Sequence, residues 1–348
     1  MSAVPPPGLV LPDVWYVACR SEALKRAPLA VTIQGRPLVL FRGSTGAPAA
    51  FTDRCPHRNV PLSMGEVVNG ELQCKYHGWR FDPRGTCTAV PGLVDGEVSL
   101  RSRCAETFAC VEQQGFVWVY TTANVQPTSA PFSFPHWGET PYSSVVREFH
   151  VEASVHAVVE NTLDVPHTAY LHGGLFRTAQ KSNVIEVVVR RHATWAEAEF
   201  IGEPAPKGLI GRILAPGGGV TVHFDRFLLP SIAQVEYRLG ERSHLFATSA
   251  LTPVTDTETR VFAVVTFKLP LPGWLVKPFV APIATQIFAQ DAVMLRRQTA
   301  QVKQFGGEKY TSTELDVLGP QVTRLIKQAA AKEPPAEGVH EHRLRMKT

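Results

Sequence analysis

The stretch that decides the fold begins with Cys55-Pro-His57 and ends with Cys74-Lys-Tyr-His77, with residues 58–73 between the two halves. Each half supplies one thiol and one imidazole, so two loop tips would hold a metal centre from opposite sides. Pro56 lies inside the first half and Gly78 follows the second, and both residue types suit tight loops. The pattern therefore predicts a metal site with two sulfur and two nitrogen ligands.

Two kinds of metal site use that ligand set. In a Rieske [2Fe–2S] cluster, two histidines replace two cysteines on one of the irons. A Cys2His2 zinc site has the same ligands, but zinc fingers pair cysteine with cysteine and histidine with histidine. Because each half of this motif is mixed, the pattern favours the iron–sulfur cluster, and zinc stays the alternative.

The motifs Cys55-Pro-His-Arg58 and Cys74-Lys-Tyr-His-Gly-Trp79 resemble the Rieske domain of the ring-hydroxylating oxygenases. The respiratory Rieske type has an extra cysteine in each loop, and these two cysteines form a disulfide. This chain has Val60 and Tyr76 at those places, so the resemblance is to the oxygenase branch. It implies that the cluster is bound by Cys55, His57, Cys74 and His77.

Length and composition limit the remaining possibilities. The 348 residues predict about two domains, and an apolar content of 44% is enough for ordinary cores. The net charge of +4 is slight, and no basic run with interleaved aromatic residues indicates a nucleic-acid partner. Residues 1–12 lack the charged start and apolar core of a signal peptide.

The chain also carries signals about its compartment. The most apolar late stretch, residues 269–289, is interrupted by prolines and a lysine, which argues against a membrane span. Free thiols and an iron–sulfur cluster both fit a reducing, cytoplasmic location. The cysteines outside the motif show no disulfide framework and are expected to be buried free thiols: Cys19, Cys87, Cys104 and Cys110.

Residues 13–122 are predicted to form a β-rich domain around the first motif. Short apolar runs such as residues 29–33 and 38–41 alternate with turns, and residues 115–120 form a strong closing strand. Residues 123–141 are rich in proline, serine, threonine and glycine, which is typical of a linker between domains. The N-terminal domain is therefore expected to be an all-β sandwich.

A second domain is predicted over residues 142–328. It contains a helix-permissive stretch at residues 155–172 and a final helix at residues 283–304, where apolar side chains share one face. The tail, residues 329–348, is expected to be loosely attached. The strand candidates are residues 144–151, 183–191, 195–201, 220–229, 232–239, 244–251 and 260–269.

The helix-permissive stretch ends in a second candidate metal site. His167 and His172 form an H-x4-H pair, Asp164 precedes them, and Pro166 would disturb the helix there. A non-heme Fe(II) oxygenase uses two histidines and one carboxylate on one face of the metal and leaves the other positions open. A carboxylate such as Asp291, near an apolar face of the late helix, is costly to bury without a partner.

These residues resemble the catalytic domain of the Rieske oxygenases. That family's pattern N-x2-D-x2-H-x4-H is met here, and its late D-x3-L-x2-Q pattern is met at residues 291–298. The resemblance implies iron ligation by His167, His172 and Asp291. It also implies that Asp164 bridges the two metal centres across a trimer contact, and that Asn161 and Gln298 assist.

Each of these residues also has a plainer interpretation. An H-x4-H pair on its own is more often structural, and a lone aspartate is often a surface charge. His150, His156, His223 and His244 lie in strand-like or flanking segments and are interpreted as satisfied histidines without a site role. The two motifs gain weight from standing together, in this order, in one chain.

The fold class expected is α+β: an all-β Rieske domain followed by a helix-grip domain, a curved antiparallel sheet around a long helix. The resemblance implies a homotrimer in which electrons from NAD(P)H pass through a separate reductase, sometimes with a ferredoxin, to the cluster and then to Fe(II), where O2 and an organic substrate react. The chain has no G-x-G-x-x-G fingerprint, so the reductase would be another protein.

The reaction itself is less defined by the sequence. Monooxygenation, as hydroxylation or oxidative demethylation of an aromatic or polycyclic substrate, is favoured. A cis-dihydroxylating dioxygenase or a desaturase is the alternative within the family. From another class, the alternative is an electron carrier with an inactive second domain.

Overall fold

A computed structural model of the chain describes residues 11–94, 103–172, 183–204, 221–240, 242–334 and 338–347. The chain divides into two compact units, whose boundary in sequence lies between Ser133 and Phe134. This boundary falls inside residues 123–141, where the sequence places a linker. The limits of the individual domains stay predictions.

The described part of the N-terminal unit is built from strands and two short 3-10 turns, as the sequence predicts. One sheet has six antiparallel strands in the order β1-β10-β9-β4-β3-β2, and the other has four in the order β5-β6-β7-β8. The strands are β1 (Trp15–Arg20), β2 (Leu29–Ile33), β3 (Arg36–Arg42), β4 (Pro48–Thr52), β5 (Glu66–Val68), β6 (Glu71–Gln73), β7 (Arg80–Phe81), β8 (Cys87–Ala89), β9 (Thr107–Gln113) and β10 (Phe116–Ala123).

The six-stranded sheet has apolar side chains on both faces, so it lies between two apolar cores. In β3, Leu40 packs into one apolar core and its neighbour Phe41 into another, because successive side chains of a strand point to opposite faces. The core around Phe41 also contains Cys55 and Cys74, both of which are buried. The sheet therefore supports the two loops that carry the first motif.

The described C-terminal unit is one eight-stranded antiparallel sheet with helices on one face, and it confirms the predicted fold class. The strand order is β11-β17-β16-β15-β14-β13-β12-β18. The strands are β11 (Ser143–Val151), β12 (Val184–Arg191), β13 (Trp195–Ile201), β14 (Thr221–Leu228), β15 (Ile232–Leu239), β16 (Ser243–Thr255), β17 (Glu258–Lys268) and β18 (His340–Lys347). The helices are α1 (Val155–Thr162), α2 (Thr168–Leu171), α3 (Gly273–Gln304) and α4 (Gly319–Ala330).

A single apolar core joins the helices to the sheet. Val159 of α1, Leu295 of α3 and Leu325 of α4 pack in the same cluster as Phe200 of β13 and Phe227 of β14. All five side chains are buried. Burial of such side chains contributes roughly 1.5–3 kcal/mol each, so this core holds the three helices on one face of the sheet.

The expectation of a loosely attached tail is wrong for residues 340–347. They form β18, which pairs along its whole length with β12. Met346 is buried and Leu344 packs against the same core, whereas Arg343, Arg345 and Lys347 are exposed. This period-2 alternation was present in the sequence, but the many charged residues around it obscured the signal.

The late helix also differs from its prediction, because α3 begins at Gly273 and not at Ile283. Pro278 and Pro282 lie inside it, and a proline in a helix interior costs about 3 kcal/mol. Packing offsets this cost, since Val276 is buried in a core with Val145 and neighbouring strand residues. Among the described residues, no helix has both the length and the apolar character that a membrane crossing requires.

The structure also gives the state of the cysteines. All six lie in the described part of the chain, and each is a thiol outside any disulfide. Cys19 and Cys87 are buried as expected and Cys110 is half-buried, but Cys104 is exposed. The prediction of buried thiols is therefore wrong for Cys104.

Three of the four histidines interpreted as satisfied are hydrogen-bonded as expected, and His223 is the most enclosed of them. Its Nδ1 lies 2.6 Å from Glu203 Oε2 and its Nε2 lies 2.9 Å from Asp225 Oδ1. Although burial alone lowers the pKa of His223, the Asp225 and Glu203 carboxylates raise it overall to about 9. An imidazolium therefore lies between two carboxylates inside the C-terminal unit. His156 bonds Thr323, and His244 bonds Glu236.

The His223 cluster predicts a pH-dependent stability. A folded-state pKa of about 9 exceeds the ordinary value of about 6.5, so the stabilisation is complete below pH ~6.5 and is lost as the pH rises through ~9. We expect His223→Phe to destabilise the protein by about 3–5 kcal/mol at pH ~6, because two buried carboxylates lose their partner. Denaturant unfolding at pH ~6 and at pH ~9 measures this cost.

The control is His150→Gln, because His150 is exposed on β11. Its cost is expected to be near zero at both pH values. A cost for His223→Phe that does not shrink between pH ~6 and ~9 would show that the imidazolium charge is not what stabilises the cluster.

Two candidate metal centres

The first motif forms two loops with the same backbone hydrogen bonds. In the first, Cys55 N–H donates to Val60 O at 2.9 Å, and Asn59 N–H donates to Cys55 O at 2.9 Å. In the second, Cys74 N–H donates to Trp79 O at 2.8 Å, and Gly78 N–H donates to Cys74 O at 3.0 Å. Each loop is thus closed five residues beyond its cysteine, and each places that cysteine at the same point of the turn.

The left-handed residue of each loop is the same position, four after the cysteine. Asn59 has φ 60° and Gly78 has φ 70°. Asparagine and glycine are the residues that adopt this conformation most readily. A Cβ on Gly78 would also approach Pro91 Cγ to 2.9 Å. The two halves of the motif are therefore one turn type used twice, with histidine two residues after cysteine in the first and three in the second.

The imidazoles of the motif lie side by side nearer the surface than the thiols. The ring centroids of His57 and His77 are 4.6 Å apart, and Trp79 stacks on His57 at 4.7 Å. The Nδ1 atom of His57 is shielded from solvent and has no hydrogen-bond partner. A buried nitrogen of this kind is costly unless a metal binds it.

The thiols lie deeper, in an apolar environment. Burial raises the pKa of the Cys55 thiol to about 11, and the adjacent Cys74 sulfur acts in the same direction. Thiolates at this position therefore need a compensating positive charge. Iron supplies such a charge, because a coordinated thiol is deprotonated by the metal. The donor set thus fits a cluster with buried sulfur ligands and more exposed nitrogen ligands.

The geometry bears on the zinc alternative. Four ligands that are 2.0–2.3 Å from one zinc ion lie within roughly 4 Å of one another. Among the described residues, the metal-ligand side chains that converge within 4.8 Å are His167, His172 and Asp291, and the first motif does not converge in this way. Because its ligand atoms do not converge on one point, the first motif fits a cluster better than a single zinc ion.

The second site forms where the helix-permissive stretch breaks. Helix α1 ends at Thr162, and α2 begins at Thr168. The Pro166 carbonyl still accepts a hydrogen bond from Ala169 N–H at 3.3 Å, but Pro166 itself has no N–H to continue the helix from α1. The break between α1 and α2 turns the chain so that His167 and His172, five residues apart, face one point.

Asp291 of α3 completes this site from a distant part of the chain. Its Oδ1 atom lies 3.1 Å from His172 Nε2 and 3.6 Å from His167 Nε2. His172 is only 2% exposed, and its Nε2 atom is shielded from solvent without a hydrogen bond. Two imidazole nitrogens and one carboxylate oxygen therefore converge, which is the donor set of a facial triad.

The site favours a cation electrostatically. Although burial lowers the pKa of His167, hydrogen bonds with the Asp164 and Asp291 carboxylates raise it overall to about 9. The Asp291 carboxylate therefore places negative charge at the Nε2 atoms of His167 and His172, and Asp164 adds negative charge beside His167 Nδ1. A divalent metal ion would compensate that charge and bind the shielded nitrogen of His172.

Neighbouring groups hold the three side chains in place. His167 Nδ1–H donates to the Asp164 carbonyl oxygen, and the Asp164 carboxylate lies 3.5 Å from the same nitrogen. Asn161 Nδ2 donates to Asp291 Oδ1 at 3.4 Å. His172 Nδ1 lies 2.8 Å from Gln290 Oε1. Asp164, which the resemblance implies as the bridge between the centres, and Asn161, which it implies as a helper, are thus next to the site. Their roles stay predictions.

The structure also shows which residues contact the two sites, a distinction that the sequence could not make. Gln298, which the resemblance implies as a helper, is exposed on α3. Gln290 contacts the site, yet its only signal in the sequence is its position before Asp291. Trp79, the stacking partner of His57, is signalled by its place in the second motif half. Side-chain contacts of this kind depend on tertiary packing.

Family comparisons agree with this division of the chain. Residues 14–109 match the Rieske [2Fe-2S] domain. Residues 151–332 match the vanillate O-demethylase oxygenase C-terminal domain. The first match includes the whole Cys/His motif, and the second includes His167, His172 and Asp291.

Similar proteins extend over different lengths. The oxygenase component of dicamba O-demethylase from Stenotrophomonas maltophilia is 37% identical over 167 residues, covering 46% of this chain and 47% of that protein. A putative toluene-4-sulfonate monooxygenase iron-sulfur subunit from Comamonas testosteroni is 30% identical, covering 52% of each. The chain thus spans about half the length of these two relatives. The vanillate O-demethylase oxygenase subunit of Pseudomonas sp. strain HR199 is 26% identical, covering 93% of this chain and 96% of that protein.

Solved structures match over nearly the whole chain. The crystal structure of dicamba monooxygenase bound to 3,6-dichlorosalicylic acid has a TM-score of 0.77 and 26% identity, covering 92% of this chain and 97% of that one. Such a likeness supports the two-unit architecture described above.

Gly78→Ala tests the loop geometry of the first centre. An L-residue with positive φ costs about 1–2 kcal/mol, and the new Cβ would also meet Pro91 at 2.9 Å. We expect a lower unfolding midpoint and less bound iron–sulfur cluster, read from visible absorbance per protein. Gly46→Ala is the matched control, because Gly46 has φ 83° and a Cβ added there would meet nothing within 4 Å. Equal losses in the two variants would contradict a specific role of the Gly78 turn.

Proposed function

The chain belongs to the family with a Rieske [2Fe–2S] domain and a vanillate O-demethylase oxygenase C-terminal domain, and from this premise we propose that it is the terminal oxygenase of an electron-transfer system. The observation that carries the proposal is the convergence of His167, His172 and Asp291 within 4.8 Å in a chain that also has the Rieske motif. We propose residues 13–122 as the Rieske domain, 123–141 as a linker and 142–328 as the iron domain.

In the first centre, Cys55, Cys74, His57 and His77 would hold the cluster. The buried cysteines anchor it in the core beneath the six-stranded sheet, and the histidines face the surface side. Trp79 stacks on the His57 ring and fixes its plane. The histidine side is the more exposed one, so it is the side that an electron-transfer partner would approach.

In the second centre, His167, His172 and Asp291 hold Fe(II). When bound, the cluster supplies single electrons and the iron supplies O2 activation. The side chains would set the conditions for that chemistry, because two histidines and one carboxylate are the donor set that leaves positions open for O2 and substrate. Leu163 belongs to the apolar core that Leu295 of α3 also joins, and Phe288 packs against it. We propose that this apolar environment near the site favours an apolar organic substrate.

Asp164 is proposed as the link between the centres. It holds His167 through its carbonyl oxygen, while its carboxylate lies 3.5 Å from the ring nitrogen with 40% of its side chain exposed. An exposed carboxylate in this position is available to a histidine of another subunit. We therefore propose a homotrimer in which Asp164 joins one subunit's iron to its neighbour's cluster, and Asn161 keeps Asp291 oriented.

The electron donor is proposed to be a separate NAD(P)H-dependent reductase, with or without a ferredoxin, in the cytoplasm. The reaction proposed is monooxygenation of an aromatic or polycyclic substrate, by hydroxylation or oxidative demethylation. Relatives named as O-demethylases of dicamba and vanillate support this choice. Cis-dihydroxylation or desaturation is the alternative outcome, and turnover with an aromatic, steroid and alkylamine panel, read by mass spectrometry, distinguishes them.

An electron carrier with an inactive second domain remains the proposal from another class. Metal content distinguishes it, because the oxygenase would bind about three irons per chain and the carrier about two. The shielded, unbonded Nε2 of His172 supports the oxygenase, since an inactive domain has no reason to keep this nitrogen without a partner.

Replacing His167 with alanine tests the assignment of the two sites. We expect iron to fall from about three to about two per chain, while the visible absorption of the cluster stays. Substrate oxygenation should be lost, because the mononuclear iron has lost a ligand. Cys74→Ser is the complementary variant and should remove the visible absorption. Oxygenation that survives in His167→Ala after loss of the third iron would refute the proposal.

Asp164→Asn tests the proposed link. The substitution keeps the main-chain carbonyl oxygen of residue 164, which accepts the His167 Nδ1–H bond. Both metal sites should therefore stay filled. We expect the reduced cluster to be reoxidised at least about tenfold more slowly in a single turnover with substrate and O2. Asp316→Asn is the control, because Asp316 is an exposed aspartate of the same unit. An unchanged rate in Asp164→Asn would exclude Asp164 from the electron path.

A further inference from the structure

Gln290 lies beside the second centre and has no role in the function proposed above. Its Oε1 atom is 2.8 Å from His172 Nδ1. An amide oxygen only accepts hydrogen bonds, so the nitrogen facing it carries the proton. The other nitrogen of His172, Nε2, is then left with its lone pair, and it is the atom that lies 3.1 Å from Asp291 Oδ1.

We propose that Gln290 is the positioning residue that fixes the tautomer and ring orientation of His172 for metal binding. The inference rests on the proposed iron site and deepens it, because it names a group that acts on a ligand rather than on the metal. A metal-binding histidine whose second nitrogen is held by an acceptor is both better oriented and more basic.

The geometry of α3 makes this contact specific. Successive residues of a helix are rotated by about 100°, so Gln290 and Asp291 point in different directions. His172 lies between these directions, with Nδ1 towards Gln290 and Nε2 towards Asp291. One imidazole is therefore held at both edges by two consecutive residues.

The enclosure of His172 makes the contact consequential. The residue is 2% exposed, so bulk water does not reach Nδ1 to replace a lost acceptor. His167 has a parallel arrangement, in which the carbonyl oxygen of Asp164 accepts its Nδ1–H. The backbone holds one ligand of the pair, and a side chain holds the other. The side chain is the one that a substitution can remove.

The test is metal affinity, which needs neither electron donor nor substrate. Protein that retains its Rieske cluster is freed of mononuclear metal with a mild chelator and titrated with Co(II) or, without oxygen, Fe(II). We expect Gln290→Leu to weaken binding about 10–100-fold, because the ring loses its acceptor. Gln290→Glu should restore affinity to within a few-fold of the native value, since a carboxylate also accepts the Nδ1–H bond.

Gln286→Leu is the matched control, because Gln286 lies one turn before Gln290 on the same helix and is exposed. It should bind metal like the native protein. Native affinity in Gln290→Leu would overturn the inference, as would a Gln290→Glu variant as weak as Gln290→Leu. Equal weakening by Gln286→Leu would also overturn it, by assigning the effect to the helix. Absence of oxygenation, with metal affinity still dependent on Gln290, would instead count against the proposed function alone.

Discussion

The C-terminal unit depends on one half-buried carboxylate that is shared by two imidazoles. Asp291 comes within 3.6 Å of both His167 and His172, and it lies on a helix more than a hundred residues further along the chain. Bringing these groups together without a cation would leave negative charge in a poorly solvated place, as the raised pKa of His167 shows. A bound cation would stabilise the arrangement by taking the place of the water that the carboxylate has lost. Folding therefore brings the ligands together at a cost in free energy, and metal binding would offset part of that cost.

The two centres solve the problem of positioning in different ways. The first is built from two copies of one turn, each closed by its own backbone hydrogen bonds, so that its geometry is set within six residues of each cysteine. The second is built from a broken helix and a long helix that meet in the core around Leu295 and through the contacts of Asp291 and Gln290. A local turn tolerates changes elsewhere in the chain. A site assembled over long range is sensitive to any change that shifts α3 along its axis.

This difference also explains what could be predicted from the sequence. The Cys55–His77 motif, the break at Pro166 and nearly every strand of the second sheet are encoded by local spacing and alternation. Strand β18 was missed because charged residues outweigh Leu344 and Met346 in its composition, although the alternation is present. The start of α3 was missed because Pro278 and Pro282 oppose helix locally, and only packing against β11 and β17 overrides them. Gln290 was missed because a glutamine on a helix has no distinguishing pattern until its contact with His172 is known.

The unfavourable prolines of α3 make sense in terms of the second centre. The helix is held before the site by Val276, in a core with strands β11 and β17, and after the site by Leu295, in the core with α1 and α4. One anchor before Asp291 and one after it fix both the axial position and the rotation of the helix. A helix that began after Pro282 would lose the first anchor and could rotate about Leu295. A rotation of one residue, about 100°, would exchange the groups facing the two edges of His172. The extension through the prolines therefore costs local stability and secures the register on which Gln290 and Asp291 jointly depend.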